Sequence, residues 1–268
     1  MVLVIKVGDR TIESMLTEDA LDDLERLSHQ MPVVIVHGGG HTVTGIAEKL
    51  GVKQQFVTSP EGFRSRYTDA DTIQIFTMVM AGKINKEIVR ILQSRKIPAV
   101  GISGLDGALI RAERKRKLIA KDENGRRRII DGGYTGRIVS VEDDLLNTLL
   151  KSNYVPVVAP VAIGSENEAL NIDGDRAAAH IAGSLKAEVL ILLTDVEGII
   201  LNGGLVRRLT PDEAKQNIAN LGPGMITKAY AALEALSMGV AKVVVAPGRV
   251  PAPFSSAMNE ETGTVIAQ

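Results

Sequence analysis

The chain has 268 residues, 45% of them apolar and 24% charged. These are the proportions of an ordinary folded protein and exclude a disordered one. It has no cysteine, which excludes disulfides, thiol catalysis and thiolate metal sites. Formal net charge is only −1. A chain this long buries roughly three quarters of its unfolded surface, so its core needs no staples. The opening Met1-Val-Leu-Val-Ile-Lys6 is charged too soon for a signal peptide, and no apolar run approaches the ~18 residues of a membrane span. The expectation is a cytoplasmic protein with no membrane partner.

Taken in order, apolar runs alternate with helical patterns. Residues 2–7 read as a buried strand, 18–30 as a helix with Leu21, Leu24 and Leu27 on one face, and 32–36 as a second strand. A long helix over 71–94 precedes a strand over 97–102, with Met78 and Met80 read as core. The series continues with a helix over 140–153, a strand over 154–161 and a helix over 175–185. It ends with a strand over 188–193, a helix over 226–238 and a strand over 242–245. Val/Ile-rich strands apolar on both faces, each followed by a helix, predict a mainly parallel sheet covered on both sides. The alternation breaks over 107–139, where three short alternating pieces surround Asp122-Glu-Asn-Gly125. Asn-Gly tolerates positive φ, so this stretch predicts a β-hairpin. An N-terminal lobe over about 1–161 and a C-terminal lobe over about 162–268 are the expected divisions of a single domain.

Charge is uneven along the chain. Between 111 and 128 stand Arg111, Arg114, Lys115, Arg116, Lys117, Lys121, Arg126, Arg127 and Arg128 against three acidic residues, a net +6, leaving −7 elsewhere. A basic block on an acidic body suggests a polyanionic partner. No aromatic residue lies within it, and single-strand recognition needs stacking platforms, so nucleic acid is disfavoured. A solvated hairpin is the plainer alternative.

The residues able to do chemistry cluster after strands. His37-Gly38-Gly39-Gly40-His41 follows the second strand and Gly8 follows the first. Glycines there let backbone N–H groups approach an anion, and in an open α/β sheet ligands sit at the strands' C-terminal ends. Neither a Walker A pattern nor a complete dinucleotide fingerprint occurs, since Val43 takes the third glycine position. Lys6 puts a charge into an otherwise apolar strand, which is costly unless it is paired or at a solvated edge. Lys228 lies near the start of a helix after a Gly-rich turn. Asp173 and Asp175 both precede a helix, and either could cap it. His37 and His41 are separated by three glycines, which argues against helical zinc-ligand spacing, and no metal-ligand set is expected. No serine triad or nucleophile elbow is apparent.

Six short motifs then occur in a telling order: Lys6-Val-Gly8, the Val-Ile-Val-His-Gly-Gly-Gly run, Arg66-Tyr-Thr-Asp69, Asn171-Ile-Asp-Gly-Asp175, Leu193-Thr-Asp195-Val-Glu-Gly198 and Gly224-Met-Ile-Thr-Lys228. Together, over essentially the whole chain, they resemble the amino acid kinase family, in particular its N-acetylglutamate kinase branch. The resemblance implies a three-layer αβα sandwich around a mainly parallel sheet of about eight strands. It also implies transfer of the γ-phosphoryl group of ATP to a carboxylate. By the same resemblance Lys6 and Lys228 neutralise the transferring group and Asp175 holds both lysines. Gly8, Gly38, Gly39 and Gly40 cradle phosphate and substrate. Arg66 binds the substrate's α-carboxylate, with Arg64 as the neighbouring candidate, and Asn171 binds its main-chain-like part. Thr194, Asp195, Gly224 and Met225 line the nucleotide site, and Mg²⁺ arrives on ATP.

Several positions depart from the acetylglutamate pattern. Asp9-Arg10 follows Gly8, His41 follows the glycines, Tyr67 follows Arg66, and Asp131-Gly-Gly-Tyr-Thr-Gly-Arg137 and the basic segment are additional. These features resemble the sub-branch that acts on glutamate or 2-aminoadipate linked to the acidic amino-group carrier protein LysW. The basic segment would then dock the carrier. The alternatives are a kinase for free N-acetylglutamate and a non-catalytic nucleotide or amino acid sensor on the same fold. With Lys6 already in the first strand, the expectation is that the extra N-terminal helix of arginine-inhibited hexamers is absent and that the protein is a homodimer.

Overall fold

The structure is a computed structural model that describes residues 2–60, 62–121 and 126–268. The predicted turn at 122–125 and the Lys121 side chain lie outside the described residues. The first half runs β1 (Leu3–Val7), α1 (Asp9–Met15), α2 (Glu18–Gln30), β2 (Val33–His37), α3 (Gly40–Lys49), β3 (Gln55–Thr58) and β4 (Arg64–Tyr67). Next come α4 (Ala70–Thr77), a π-helical stretch Met78–Ile84 and α5 (Asn85–Ser94), followed by β5 (Ala99–Gly104), β6 (Ile110–Arg114), β7 (Lys117–Lys121), β8 (Arg127–Asp131) and β9 (Gly136–Val141). The second half holds α6 (Asp144–Lys151), β10 (Val155–Ile163), β11 (Ala169–Asn171), α7 (Gly174–Ser184), β12 (Val189–Thr194), β13 (Ile200–Leu201), β14 (Gly204–Leu205) and β15 (Arg208–Leu209). It closes with α8 (Pro211–Asn217), α9 (Pro223–Ser237), β16 (Lys242–Pro247), α10 (Pro253–Met258) and β17 (Thr264–Ala267).

Among the described residues eleven strands form one sheet, with the path β15-β17-β16-β12-β1-β2-β10-β6-β9 and β5 and β11 also paired to β10. Its centre is parallel, β16, β12, β1, β2 and β10 running side by side, and the antiparallel pairs lie outside it: β16 with β17, β10 with β11, and β6 with β9. The count exceeds eight because short strands extend both ends. The sheet is continuous from β1 to β12 and from β2 to β10.

Strand periodicity divides the core into two layers. Leu3, Ile5, Val7, Val33 and Ile35 pack with the apolar faces of α2, α5 and α10. Val4, Val34 and Val36 pack on the other side with α7 and α9. Because successive side chains alternate, Lys6 follows Val4 toward α7 and α9, and His37 follows Ile35 toward α5. These two parities put Lys6 and His37 on opposite faces of the sheet.

Three expectations need correction. The helix predicted from 140 begins only at Asp144, because Ser140 and Val141 complete β9. Met78 is exposed rather than core, whereas Met80 is buried; Met78 continues the exposed face that carries Asp71 and Gln74, at ordinary helical spacing. Finally, the 107–139 excursion is two nested antiparallel pairs. The outer pair, β6 with β9, belongs to the main sheet, and the inner pair, β7 with β8, is a ribbon of its own. Among the described residues no helix is long and apolar enough to cross a membrane.

Candidate active site

The site gathers where β1 and β2 end. Lys6 lies in a central strand, flanked by β12 and β2, so the solvated-edge reading of this lysine does not hold. Lys6, Asp175 and Lys228 are all buried (8%, 6% and 8% exposed). The Lys6 Nζ is 2.8 Å from Asp175 Oδ1, and the Lys228 Nζ is 3.1 Å from the same oxygen and 3.3 Å from Oδ2. A buried charge is tolerated only when paired and hydrogen-bonded, and here one carboxylate serves two ammonium groups. Burial opposes ionisation of Asp175, but the Lys228 and Lys6 charges outweigh it and hold the carboxyl down to about 2. Burial lowers Lys228, with Lys6's like charge adding to it and Asp175 only partly offsetting it. Lys6, with the shorter contact, is raised: burial works against its charge, but Asp175's charge and hydrogen bond prevail.

Small residues bring these groups together. Buried Ala177, Ala178 and Ala182 on α7 and Ala229, Ala231, Ala232 and Ala235 on α9 share one cluster, and a Cβ on Gly183 would lie 2.6 Å from the Met238 Cβ. Helix separation follows side-chain size at the contact, so this interface is close. It is pinned by Arg176, whose Nε and Nη2 donate to the two Glu234 carboxylate oxygens at 2.9 and 2.5 Å. Of the two candidate caps, Asp173 takes the role, accepting from Arg176 N at 3.0 Å. That leaves Asp175 in the first turn facing the lysines.

Gly8 and Gly38 lie back to back: a Cβ on Gly38 would be 3.4 Å from Gly8 Cα and 3.2 Å from Asp9 N. Gly39 caps α3, and a Cβ there would lie 2.1 Å from Ile84 Cδ1 and 2.7 Å from Met80 Sδ. A side chain at position 39 would have to push back the Ile84 and Met80 side chains of the π stretch. Asp9 ties α1 to α3: its carboxylate accepts from His41 N, from His41 Nδ1 at 3.0 Å and from Thr42 Oγ1 at 3.3 Å. Sequence reasoning noted Asp9 only as a departure from a second glycine.

On the β4 side, buried Arg66 donates to Gly40 O at 2.7 Å, to Thr44 Oγ1 at 3.0 Å and to Gln54. Arg64 and Arg66 both lie over the Phe56 ring, at 4.7 and 4.9 Å, but Arg64 is exposed and only Arg66 reaches the α3 turn. Asn171 Nδ2 donates to Thr68 Oγ1 at 2.9 Å, next to the Arg66 strand. At the other end, buried Thr194 closes β12, and Asp195 pairs with Arg10 at 3.1 Å, whose proximity holds its carboxyl below the usual range. Gly224 and Met225 lie in the first turn of α9, upstream of Lys228.

The basic segment borders the Arg66 side. Tyr134 N donates to Thr68 O at 2.7 Å and Asn171 N to Tyr134 O at 2.8 Å, so its base adjoins the Asn171 strand. Arg111, Arg116, Lys117, Arg126, Arg127 and Arg128 are exposed. Arg114 turns inward, 4.2 Å from the Tyr134 ring centre and donating to Gly133 O at 2.6 Å, and Lys115 is half-buried. Part of the charge is matched internally: Arg111 lies 3.7 Å from Glu142, and Arg116 pairs with Glu166. Among the described residues no cluster of three or more carboxylate or imidazole groups could hold a metal ion.

The pattern of the amino acid kinase family matches residues 1–247. The chain belongs to the amino acid kinase family. A relative from Cenarchaeum symbiosum is 50% identical over 98% of both chains. Another, from Saccharolobus solfataricus, is 44% identical over 99% of both and is named LysW-aminoadipate/LysW-glutamate kinase. The fold is shared with a crystal structure from Streptococcus mutans (TM-score 0.79, 22% identity, 99% of this chain and 98% of that one). It is also shared with the carbamate kinase of Giardia lamblia bound to AMP-PNP (TM-score 0.69, 14% identity, 99% and 98%). The expected αβα kinase fold is therefore the fold of this chain.

Proposed function

We propose that the protein transfers the γ-phosphoryl group of ATP to the side-chain carboxylate of glutamate or 2-aminoadipate linked to the amino-group carrier protein LysW, giving ADP and an acyl phosphate for lysine or arginine synthesis. The observation that carries the reading is the buried Lys6–Asp175–Lys228 arrangement at the end of β1, in a chain 44% identical along its length to a relative of that name.

A carboxylate oxygen attacks the γ-phosphorus while the bond to the bridging oxygen of ADP breaks. The attacking group is already ionised, so no general base is needed. Catalysis is then alignment plus charge stabilisation. Lys6 and Lys228 face the equatorial and leaving oxygens as their negative charge grows, and Asp175 keeps the two cations from repelling each other out of position. N–H groups of the Gly8 and Gly38–Gly40 turns supply neutral donors. Arg66 receives the substrate α-carboxylate and Asn171 the amide-like linkage. Thr194, Asp195, Gly224 and Met225 border the nucleotide, in a C-terminal lobe after about residue 161. Mg²⁺ bound to the ATP phosphates supplies further charge neutralisation, and the ammonium and amide groups gathered here complement an already chelated triphosphate. The exposed part of the basic segment, beside Asn171, docks the acidic carrier. Its outermost charges act on encounter rate and weaken with salt. The protein works as a homodimer in this reading, and elution at a hexamer's mass would contradict that.

The direct test is ADP release. With ATP and carrier-linked glutamate or aminoadipate, ADP should accumulate in proportion to acceptor. No acceptor-dependent release would refute the reading.

A further inference from the structure

Behind the glycine turn lies a second buried polar system that the mechanism above does not use. His37 ends β2 with its ring turned toward α5 and is fully buried. Its Nδ1 is 2.9 Å from Gly38 O, and its Nε2 is 3.2 Å from the Nδ2 of buried Asn85. Asn85 Nδ2 also lies 2.8 Å from Val157 O and 3.2 Å from Ile102 O. On its other side Asn85 Oδ1 accepts from Lys86 Nζ at 3.0 Å, and that ammonium also donates to Gly101 O at 2.7 Å. The pocket exists because residue 101 is glycine: a Cβ there would lie 2.0 Å from Asn85 Oδ1.

The donors and acceptors along this network fix the tautomer of the His37 ring. An ammonium group only donates, so the Asn85 oxygen faces Lys86 and its NH₂ faces inward. The two NH₂ hydrogens are shared among Val157 O, Ile102 O and His37 Nε2, and since Nε2 faces this donor while Nδ1 faces Gly38 O, Nε2 is the lone-pair nitrogen and Nδ1 carries the hydrogen. Nδ1–H then donates to Gly38 O. Gly38 N in turn donates to Val7 O at 2.7 Å. With Gly38 held at both its N–H and its C=O, the Gly38–Gly39 peptide plane cannot rotate. In a trans peptide the N–H points opposite to the C=O, and Gly39 N–H has no acceptor among the described residues.

We infer that His37 and Asn85 are positioning residues for phosphoryl transfer: together they lock the Gly38–Gly39 peptide so that Gly39 N–H is held toward the transferring group. The inference rests on the kinase reading above and adds two residues to it that touch no substrate.

The test pairs spectroscopy with kinetics. In wild-type protein, ¹⁵N–¹H correlation spectra of the His37 imidazole should show the Nδ1–H tautomer at neutral pH. Asn85→Asp is nearly isosteric, and the Lys86 ammonium beside it keeps the new carboxylate ionised. A carboxylate only accepts, so Nε2 must carry a hydrogen: a neutral ring then turns its Nδ1 lone pair onto Gly38 O, whereas an imidazolium would keep Nδ1–H there, and the spectrum distinguishes the two. The variant should keep KM for ATP and for acceptor within about twofold while kcat falls about tenfold to a hundredfold, and its spectrum should show the switched tautomer. Wild-type protein in the Nε2–H form, a folded Asn85→Asp variant with a neutral Nε2–H ring and full kcat, or one that keeps Nδ1–H as an imidazolium yet loses kcat, overturns the inference. If that variant does not fold, the wild-type tautomer decides alone. Wild-type protein with no kinase activity on any carboxylate acceptor would instead count against the proposed function, whatever the tautomer.

Discussion

Lys6 and Lys228, from opposite ends of the chain, reach the same Asp175 oxygen, at 2.8 and 3.1 Å. Removing one lysine leaves a one-to-one pair, whereas removing the carboxylate leaves two buried like charges facing each other. Stability and activity should therefore respond differently along this triad. Lys228→Met should lower kcat on the order of 10²–10³-fold with a modest change in thermal midpoint. Asp175→Ala should lose comparable activity and also about 3–5 kcal/mol of stability, measured by urea unfolding. Equal stability of the two variants would contradict this.

The depressed Asp175 pKa has a definite sign. Its folded value, about 2, lies below the ordinary 3.8, so the protonated form is favoured by unfolding. The stabilisation is present above the ordinary value and is lost as pH falls from about 4 toward 2. Asp175→Asn should flatten the acid limb of stability against pH in that window.

Lys228 is shifted the other way for a base, below 10.5. Its charge is lost on raising pH sooner than for an exposed lysine, so kcat should fall on an alkaline limb below the usual lysine range. Lys228→Arg keeps the charge, and any residual activity should lack that limb. An unchanged limb in the arginine variant would assign it to another group.

The parallel framework was legible because β1, β2, β10, β12 and β16 are Val/Ile runs buried on both faces, and residues 18–30 carry a leucine stripe that defines α2 to the residue. The ordered motifs pointed to Lys6, Asp175 and Lys228, which the fold brings into contact. Other features left weaker traces. The strands Gln55–Thr58 and Arg64–Tyr67 are short, mostly exposed and rich in polar residues, so no apolar alternation marks them. A π turn leaves no signature in composition, and the apolar side chain of Met78 suggests core although its spacing from Asp71 and Gln74 puts it on the exposed face. Asn85 did leave a signal: with Ile88 and Leu92 it falls on the buried i, i+3, i+7 stripe of α5, and a polar residue on such a stripe needs partners.

The close contact at Gly39 gives a packing test. Gly39→Ala should reduce activity and stability, because the new Cβ meets Ile84 Cδ1 at 2.1 Å. Adding Ile84→Val removes that atom, so the double variant should recover part of the stability loss. No recovery would place the strain elsewhere.

Arg66 and Arg64 separate by burial. Arg66→Lys keeps the charge but not the fork that meets Gly40, Thr44 and Gln54, so KM for the acceptor should rise tenfold or more while KM for ATP stays within about twofold. Arg64→Ala should change acceptor KM little.

The central claim is that the acceptor is carrier-linked, and acyl phosphate formation tests it most directly. The product is trapped with hydroxylamine using carrier-linked glutamate, carrier-linked aminoadipate and free N-acetylglutamate, each at low and high salt, with Lys117→Glu/Arg127→Glu as the docking variant. Hydroxamate should form on the carrier-linked acceptors alone, more slowly at high salt, and the variant should lose both rate and salt dependence. Efficient hydroxamate formation on free N-acetylglutamate, indifferent to salt and to the variant, would contradict the account and leave the basic ribbon a solvated hairpin.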